Sequence, residues 1–309
     1  MDAPLAWVES PLQLVAAAEL AAARDERIPV AMRLTGGQMT STAEELLRRG
    51  ARLAITPYFG VPWQQLAGRR HWAIGDAFSG QFRLAAALVG PRRLTLLDDG
   101  ALSVGVADSL LGRRRYARPG TAEHAVQRAL GELAMDRMLR LASREALEFA
   151  TAFAFGDDRV AELAQRGASV RRHSFEWTRR TARPISIPGR RVLLGSALPV
   201  DGRMRAEAYL RWVGRVASSA PVAYLPHRRE GAEQLAAVGA TPGVRVHRTG
   251  LPVELVLAGA REPLEVITLP SSTRTTLRHV LAGSGSTIEV HPADSAELTA
   301  LTLPGRWRA

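Results

Sequence analysis

Leu-Thr-Leu-Leu-Asp-Asp-Gly, residues 94–100, is an apolar strand-like run that stops on two carboxylates and a glycine. Two later stretches have the same grammar: Tyr-Leu-Pro-His-Arg-Arg-Glu (224–230) and Leu-Pro-Ser-Ser-Thr (269–273). In open α/β sheets ligands bind beyond the carboxyl ends of the strands. A carboxylate, an imidazole and a hydroxyl pair delivered to such ends are the tools of a group-transfer enzyme.

Working outward from residues 94–97, strand-type runs at 5–9, 28–34, 51–56 and 71–74 alternate with helical patterns at 12–24, 42–49 and 78–88. Such βα alternation predicts a parallel sheet with right-handed crossovers. Residues 122–149 read as one or two helices, and a further strand is expected over 151–155. Residues 177–191 hold two prolines, a glycine and an arginine cluster that interrupt both periodicities, which marks a domain boundary. A second series of strands follows at 192–195, 222–225, 244–247, 264–269 and 287–290. The expectation is an α/β protein of two doubly wound, Rossmann-like domains, 1–184 and 185–309, facing each other across a cleft, with the last residues packing back on the first. That order fits the GT-B architecture, in which two such domains hold a nucleotide sugar. No repeat at solenoid periods and no low-complexity tract intervenes.

Composition narrows the function. A length of 309 residues suits two domains, and 46% hydrophobic residues are ordinary for a globular chain. No apolar run approaches the roughly 20 residues of a membrane span. Residues 5–9 have no basic lead and run straight into Glu-Ser-Pro, unlike a secretory signal, so a cytoplasmic location is expected. The chain has no cysteine, hence no disulfide or thiolate metal site. Its net charge is +11, yet it contains neither lysine nor asparagine, a bias that replaces lysine by arginine throughout. The arginine clusters at 113–115, 171–172, 179–180 and 228–229 are either a solvated surface or an attraction for an anionic substrate or the anionic inner leaflet. Nucleic-acid binding is disfavoured: aromatic residues make up only 6% and no recognised motif is present.

Candidate site residues cluster at strand ends. Glu9, Ser10 and Gln13 close the first strand and open the first helix, where Ser10 also suits an N-cap and Pro11 the first helical position. No Gly-x-Gly-x-x-Gly follows, which disfavours a dinucleotide site. Of the pair Asp98 and Asp99, followed by Gly100, one carboxylate can deprotonate an acceptor hydroxyl while the other fixes the loop. His227, between Pro226 and Arg228, suits a departing phosphate as hydrogen-bond donor or general acid. Ser271 and Ser272 open a helix, where hydroxyls and free N–H groups bind phosphate; Gly195 and Ser196 offer a weaker version. His291 is expected to be structural, and the remaining histidines show no metal-ligand spacing.

Taken together, these pieces resemble the bacterial sialyltransferase and polysialyltransferase superfamily, inverting GT-B enzymes that use CMP-activated nonulosonic acids. The resemblance rests on four short motifs in order: Ser10-Pro11-Leu12-Gln13, Asp98-Asp99-Gly100, His227, and Ser271-Ser272. It implies Asp98 as general base, His227 at the donor phosphate, Ser271 and Ser272 holding that phosphate, and Glu254 gripping the ribose hydroxyls. It also implies a CMP-sugar co-substrate, a saccharide or anionic glycan acceptor, and no metal or other cofactor. One departure is that many relatives have proline after the histidine, whereas here Pro226 precedes His227 and Arg228 follows, closer to the polysialyltransferase-like branch. Two other readings stand beside it: a GT-B enzyme using a UDP- or GDP-sugar, and a non-catalytic module that binds anionic glycan.

Overall fold

A computed structural model describes residues 3–292. The chain divides into two compact units, Met1–Thr181 and Ala182–Ala309, a division three residues before the boundary read from the sequence. The residues expected to pack back on the first domain lie outside the described residues.

Unit 1 runs β1 (Leu5–Val8), α1 (Pro11–Arg24), β2 (Ile28–Arg33), α2 (Gly37–Arg48), β3 (Leu53–Tyr58), α3 (Trp63–Leu66), β4 (His71–Ile74), α4 (Gly80–Leu88), β5 (Arg93–Leu97), α5 (Leu102–Leu110), α6 (Ala125–Ala142), β6 (Leu147–Thr151), α7 (Asp157–Gln165), β7 (Ala168–Arg172) and α8 (Glu176–Arg180). Its seven strands are all parallel, in the order β3-β2-β1-β4-β5-β6-β7. The central strands β1 and β4 are buried throughout and read as unbroken apolar runs, as strands covered on both faces must. The edge strand β7, Ala-Ser-Val-Arg-Arg, carries polar and charged residues instead, which discourages pairing with another chain.

Unit 2 runs β8 (Arg191–Leu194), α9 (Ala206–Ser219), β9 (Val222–Leu225), α10 (Ala232–Gly239), β10 (Val244–Val246), α11 (Val253–Leu257), β11 (Glu265–Thr268), α12 (Thr273–Val280) and β12 (Thr287–Val290). Its five strands are again all parallel, in the order β10-β9-β8-β11-β12. In both units the chain starts in the middle, builds outward to one side, then crosses back to the other. Each sheet therefore has a topological switch point, between β1 and β4 in unit 1 and between β8 and β11 in unit 2, where a crevice opens at the strand ends.

The helical stretch expected over 122–149 is in fact α6 followed by β6. Glu145 adopts the left-handed conformation, φ 53°, and turns the chain out of the helix. Leu147 and Phe149 then enter the core as strand residues. The strand expected at 151–155 thus begins four residues earlier. Trp177, expected in the linker, is a buried residue of unit 1. The cause is Glu19, buried on α1, whose carboxylate accepts the backbone N–H groups of Trp177 (3.1 Å) and Thr178 (2.8 Å) at the start of α8. A carboxylate suits the positive end of a helix.

Candidate functional site

The candidate residues fall at the carboxyl ends of the two sheets and are described unit by unit. In unit 1, Ser10 is the N-cap of α1; its hydroxyl accepts the Gln13 N–H at 3.4 Å, and Pro11 occupies the first helical turn. Gln13 itself is buried. Its side-chain oxygen accepts the Glu9 N–H at 2.6 Å, and it fills the floor of the β1–β4 crevice. Gly75, after β4, leaves room for it: a Cβ there would lie 2.2 Å from the Gln13 side chain.

Glu9 stays at the crevice, held by Arg33 (3.0 Å) and the Ser79 hydroxyl (3.2 Å). Burial, and next the nearby Asp76 carboxylate, push its carboxyl above the ordinary range against the pull of Arg33. Asp76 in turn pairs with Arg118. Arg118 belongs to residues 112–124, a strap between α5 and α6 fastened at several points. The Tyr116 hydroxyl donates to the Ala77 carbonyl. Glu123 pairs with buried Arg83 at 2.8 Å, and that guanidinium lies 4.8 Å from the centre of the Tyr116 ring. At the other end Arg113 reaches Glu162 at 2.5 Å.

The two adjacent aspartates sit in different surroundings. Asp98, assigned above as general base, is wholly buried. One of its oxygens accepts the hydroxyls of Thr151 (2.5 Å) and Ser103 (3.2 Å); the other accepts the Ala152 N–H (2.6 Å) and lies 3.4 Å from His173 Nε2. Asp98 therefore clamps the end of β5 to the end of β6 and to α5. Asp99 is only half-buried, its Oδ1 accepting from the Ser10 hydroxyl at 3.3 Å across the β1 end. Gly100 takes φ 62° to turn the chain into α5.

In unit 2 the strand order brings Gly195 and Ser196 (after β8), Pro226, His227 and Arg228 (after β9), and Ser271 and Ser272 (after β11) to the ends of three neighbouring strands, which stand about 4.8 Å apart. His227 Nδ1 accepts the Arg229 N–H at 3.2 Å, so the ring proton resides on Nε2. Burial, followed by the charges of Arg228 and Arg229, pulls the imidazole pKa down to about 4. In this environment the ring offers its Nε2–H as a hydrogen-bond donor. Ser272 is the N-cap of α12 with helical dihedrals and makes no side-chain cap bond, and both Ser271 and Ser272 are exposed. Glu254, on α11, is buried; it accepts the Thr276 hydroxyl of α12 at 2.7 Å, and burial raises its carboxyl above the ordinary value. His291 stands after β12, its ring bonded to Trp212 Nε1 (3.3 Å) and Glu289 (2.9 Å).

The sequence reading missed a polar network beneath His227, built from Tyr209, Tyr224, Glu230 and Gln234. The spacing of Glu230, three residues after the histidine and just before a helix, was the signal available. Among the described residues, no group of three or more His, Asp or Glu side chains is placed to hold a metal ion, and no helix is long and apolar enough to cross a membrane.

No protein-family model matches the chain, and neither does any curated protein. Solved structures with a similar course of chain include the E. coli heptosyltransferase WaaC with ADP-2-deoxy-2-fluoro heptose, at 17% identity and a TM-score of 0.40, over 97% of this chain and 95% of that one. The same enzyme with ADP matches at 15% identity and 0.40, over 97% and 93%. Apo UGT2 of Phytolacca americana matches at 11% identity and 0.44, over 94% and 81%. What the chain shares with them is an α/β architecture.

Proposed function

We propose that the chain is a glycosyltransferase of GT-B type, in which unit 2 binds a nucleotide sugar and unit 1 supplies the base. The observation that carries this reading is the set of donors at the carboxyl ends of the unit 2 strands: an imidazole whose Nδ1 is taken up as an acceptor, leaving Nε2–H to donate, and a serine pair at the start of α12 without a side-chain cap bond. Neutral N–H and O–H donors at a helix start suit a phosphate monoanion that gains charge as it departs. The four-motif resemblance narrows the donor to a CMP-activated nonulosonic acid, with a saccharide hydroxyl as acceptor; it gives Glu254 the ribose, and the buried Glu254–Thr276 bond would have to open for that.

The base in this reading is Asp99, because Asp98 has both oxygens committed inside unit 1. The Asp99 carboxylate takes the proton of the acceptor hydroxyl as that oxygen attacks the anomeric carbon. The bond from the anomeric carbon to the CMP phosphate oxygen breaks, and its electron pair leaves on the phosphate. His227 Nε2–H, Ser271 and Ser272 stabilise the added charge by hydrogen bonds, and configuration inverts. A thermal-shift panel of CMP, UMP, UDP and GDP tests the donor, because a ligand that binds only the folded state raises the melting temperature. CMP is expected to give the largest rise. A preference for UDP or GDP replaces the CMP reading, and no response to any nucleotide, with glycan binding intact in Asp99→Asn, favours a non-catalytic glycan-binding module.

A further inference from the structure

We propose that Glu230 is a positioning residue for the donor phosphate, setting His227 in place through a hydrogen-bond chain; the inference rests on the nucleotide reading of unit 2. The chain starts at the end of β8, where the Ser196 N–H donates to the Tyr209 hydroxyl oxygen at 3.1 Å. The Tyr209 and Tyr224 hydroxyls meet at 2.6 Å, and Tyr224 donates to Glu230 Oε1 at 2.5 Å. Gln234 Nε2 donates to the same oxygen at 2.6 Å. The other oxygen, Oε2, accepts the His227 N–H at 2.7 Å, and the Glu230 N–H returns a bond to the His227 carbonyl at 3.0 Å. The Tyr209 hydroxyl also lies 3.4 Å from Oε1, so once Glu230 is ionised both tyrosines and Gln234 have a common acceptor in its carboxylate.

Three features separate this arrangement from ordinary packing. A buried carboxylate is costly, and an apolar or amide side chain of similar size fills such a space at less expense. The fold also gives up side-chain volume for it: a Cβ on Gly195 would lie 2.2 Å from Glu230 Oε2 and 2.5 Å from the His227 nitrogen. Finally, the network joins the loop that carries Gly195–Ser196 to the loop that carries His227, one of the proposed phosphate donors. Glutamine at position 230 has one acceptor oxygen where the carboxylate has two. Its N–H₂ faces either the His227 N–H, where two donors meet, or Tyr224 and Gln234, which then reorient to accept it; in both cases one link between the two loops is weakened.

The test compares CMP with cytidine, which lacks the phosphate, by NMR titration of wild type, Glu230→Gln and Tyr224→Phe, each shown to be folded by its melting temperature. Expected is a loss of CMP affinity of about tenfold in Glu230→Gln, the range of one hydrogen bond to a charged group, and a smaller loss in Tyr224→Phe, with cytidine binding unchanged. If Glu230→Gln does not fold, the Tyr224→Phe comparison decides alone. Wild-type affinity for CMP in the folded variants, or equal weakening of CMP and cytidine, overturns the proposal, the latter because Glu230 is then only scaffold. A wild-type protein that binds no nucleotide overturns the donor reading itself, and the inference falls with it.

Discussion

At the scale of single residues, Asp98 and Asp99 show how neighbours of identical chemistry acquire different work. Asn at position 98 turns a donor toward the Thr151 and Ser103 hydroxyls or the Ala152 N–H, so Asp98→Asn should destabilise unit 1 by about 1–3 kcal/mol in urea unfolding. Asp99→Asn should unfold like wild type yet lower turnover by about 10²–10⁴, the range for losing a general base. Nothing in Leu-Leu-Asp-Asp-Gly distinguishes the two, because β5 is covered on both faces and carries no alternation to say which residue turns inward. The packing of Gln13 is illegible for a similar reason, since only the approach of Gly75 reveals it. A second residue-scale expectation concerns His71, whose Nε2 meets the Thr95 hydroxyl at 2.9 Å while Thr95 donates to Glu148 at 3.2 Å. Burial, then Arg24 and Arg93, hold the imidazole pKa at about 4. The unfolded chain therefore takes up this proton first, and the contribution is lost as pH falls from about 6.5 toward 4. His71→Gln should flatten the acid slope of unit 1 unfolding measured over that range.

At the scale of elements, the fold was legible wherever strands are central and less so where they are edges. The runs at β1, β4, β8 and β9 are apolar because helices cover both faces, and the sequence pattern shows them directly. β7 escaped notice because an edge strand of Ser, Val and Arg looks like a loop. β6 was absorbed into a helix because Ala-Leu-Glu-Phe-Ala continues the helical spacing of α6, and only the left-handed Glu145 breaks it. The ends of elements offer their own tests. Ser10→Ala should cost about 1 kcal/mol through loss of the α1 cap. Gly195→Ala should cost about 1–3 kcal/mol as overpacking, since its nearest neighbours include the His227 backbone, which cannot swing aside as a side chain can.

At the scale of the whole molecule, the two units repeat one plan: a first strand in the middle, two strands to one side and the rest to the other. Among the described residues all strand pairing lies within a unit, so residues 1–181 alone should keep the seven-stranded sheet, checked by amide-exchange protection of the central strands against the full chain. The units differ in how they titrate. In unit 2, burial raises Glu230 to about 7 while His227 is lowered to about 4. A raised acid loses its contribution as pH rises through the window and a lowered base loses its own as pH falls, so the two oppose each other. In unit 1 lowered His71 gives up its contribution as pH falls from about 6.5, opposed by raised Glu9, while lowered Glu148 adds its own loss only below about 4.5. Moving from pH 7 to 5 should therefore loosen unit 1 more than unit 2, read by exchange mass spectrometry after correction for the intrinsic rate. Unit-level titration was not legible in the sequence, because these shifts arise from burial that only the folded chain defines.

The strap over residues 112–124 has a consequence for proteolysis. Two of its fasteners, Arg113 and Arg118, are arginines in a chain without lysine, so trypsin reads side chains that also hold the segment down. Arg118 is followed by Pro119, a bond that trypsin passes over, which leaves the exposed residues Arg113, Arg114 and Arg115 as its targets. An enzyme must draw several residues into its groove, and the strap supplies them only once the Arg118–Asp76 and Glu123–Arg83 pairs let go. The rate of nicking at those three arginines is thus a gauge of how firmly the rim of the unit 1 crevice is closed.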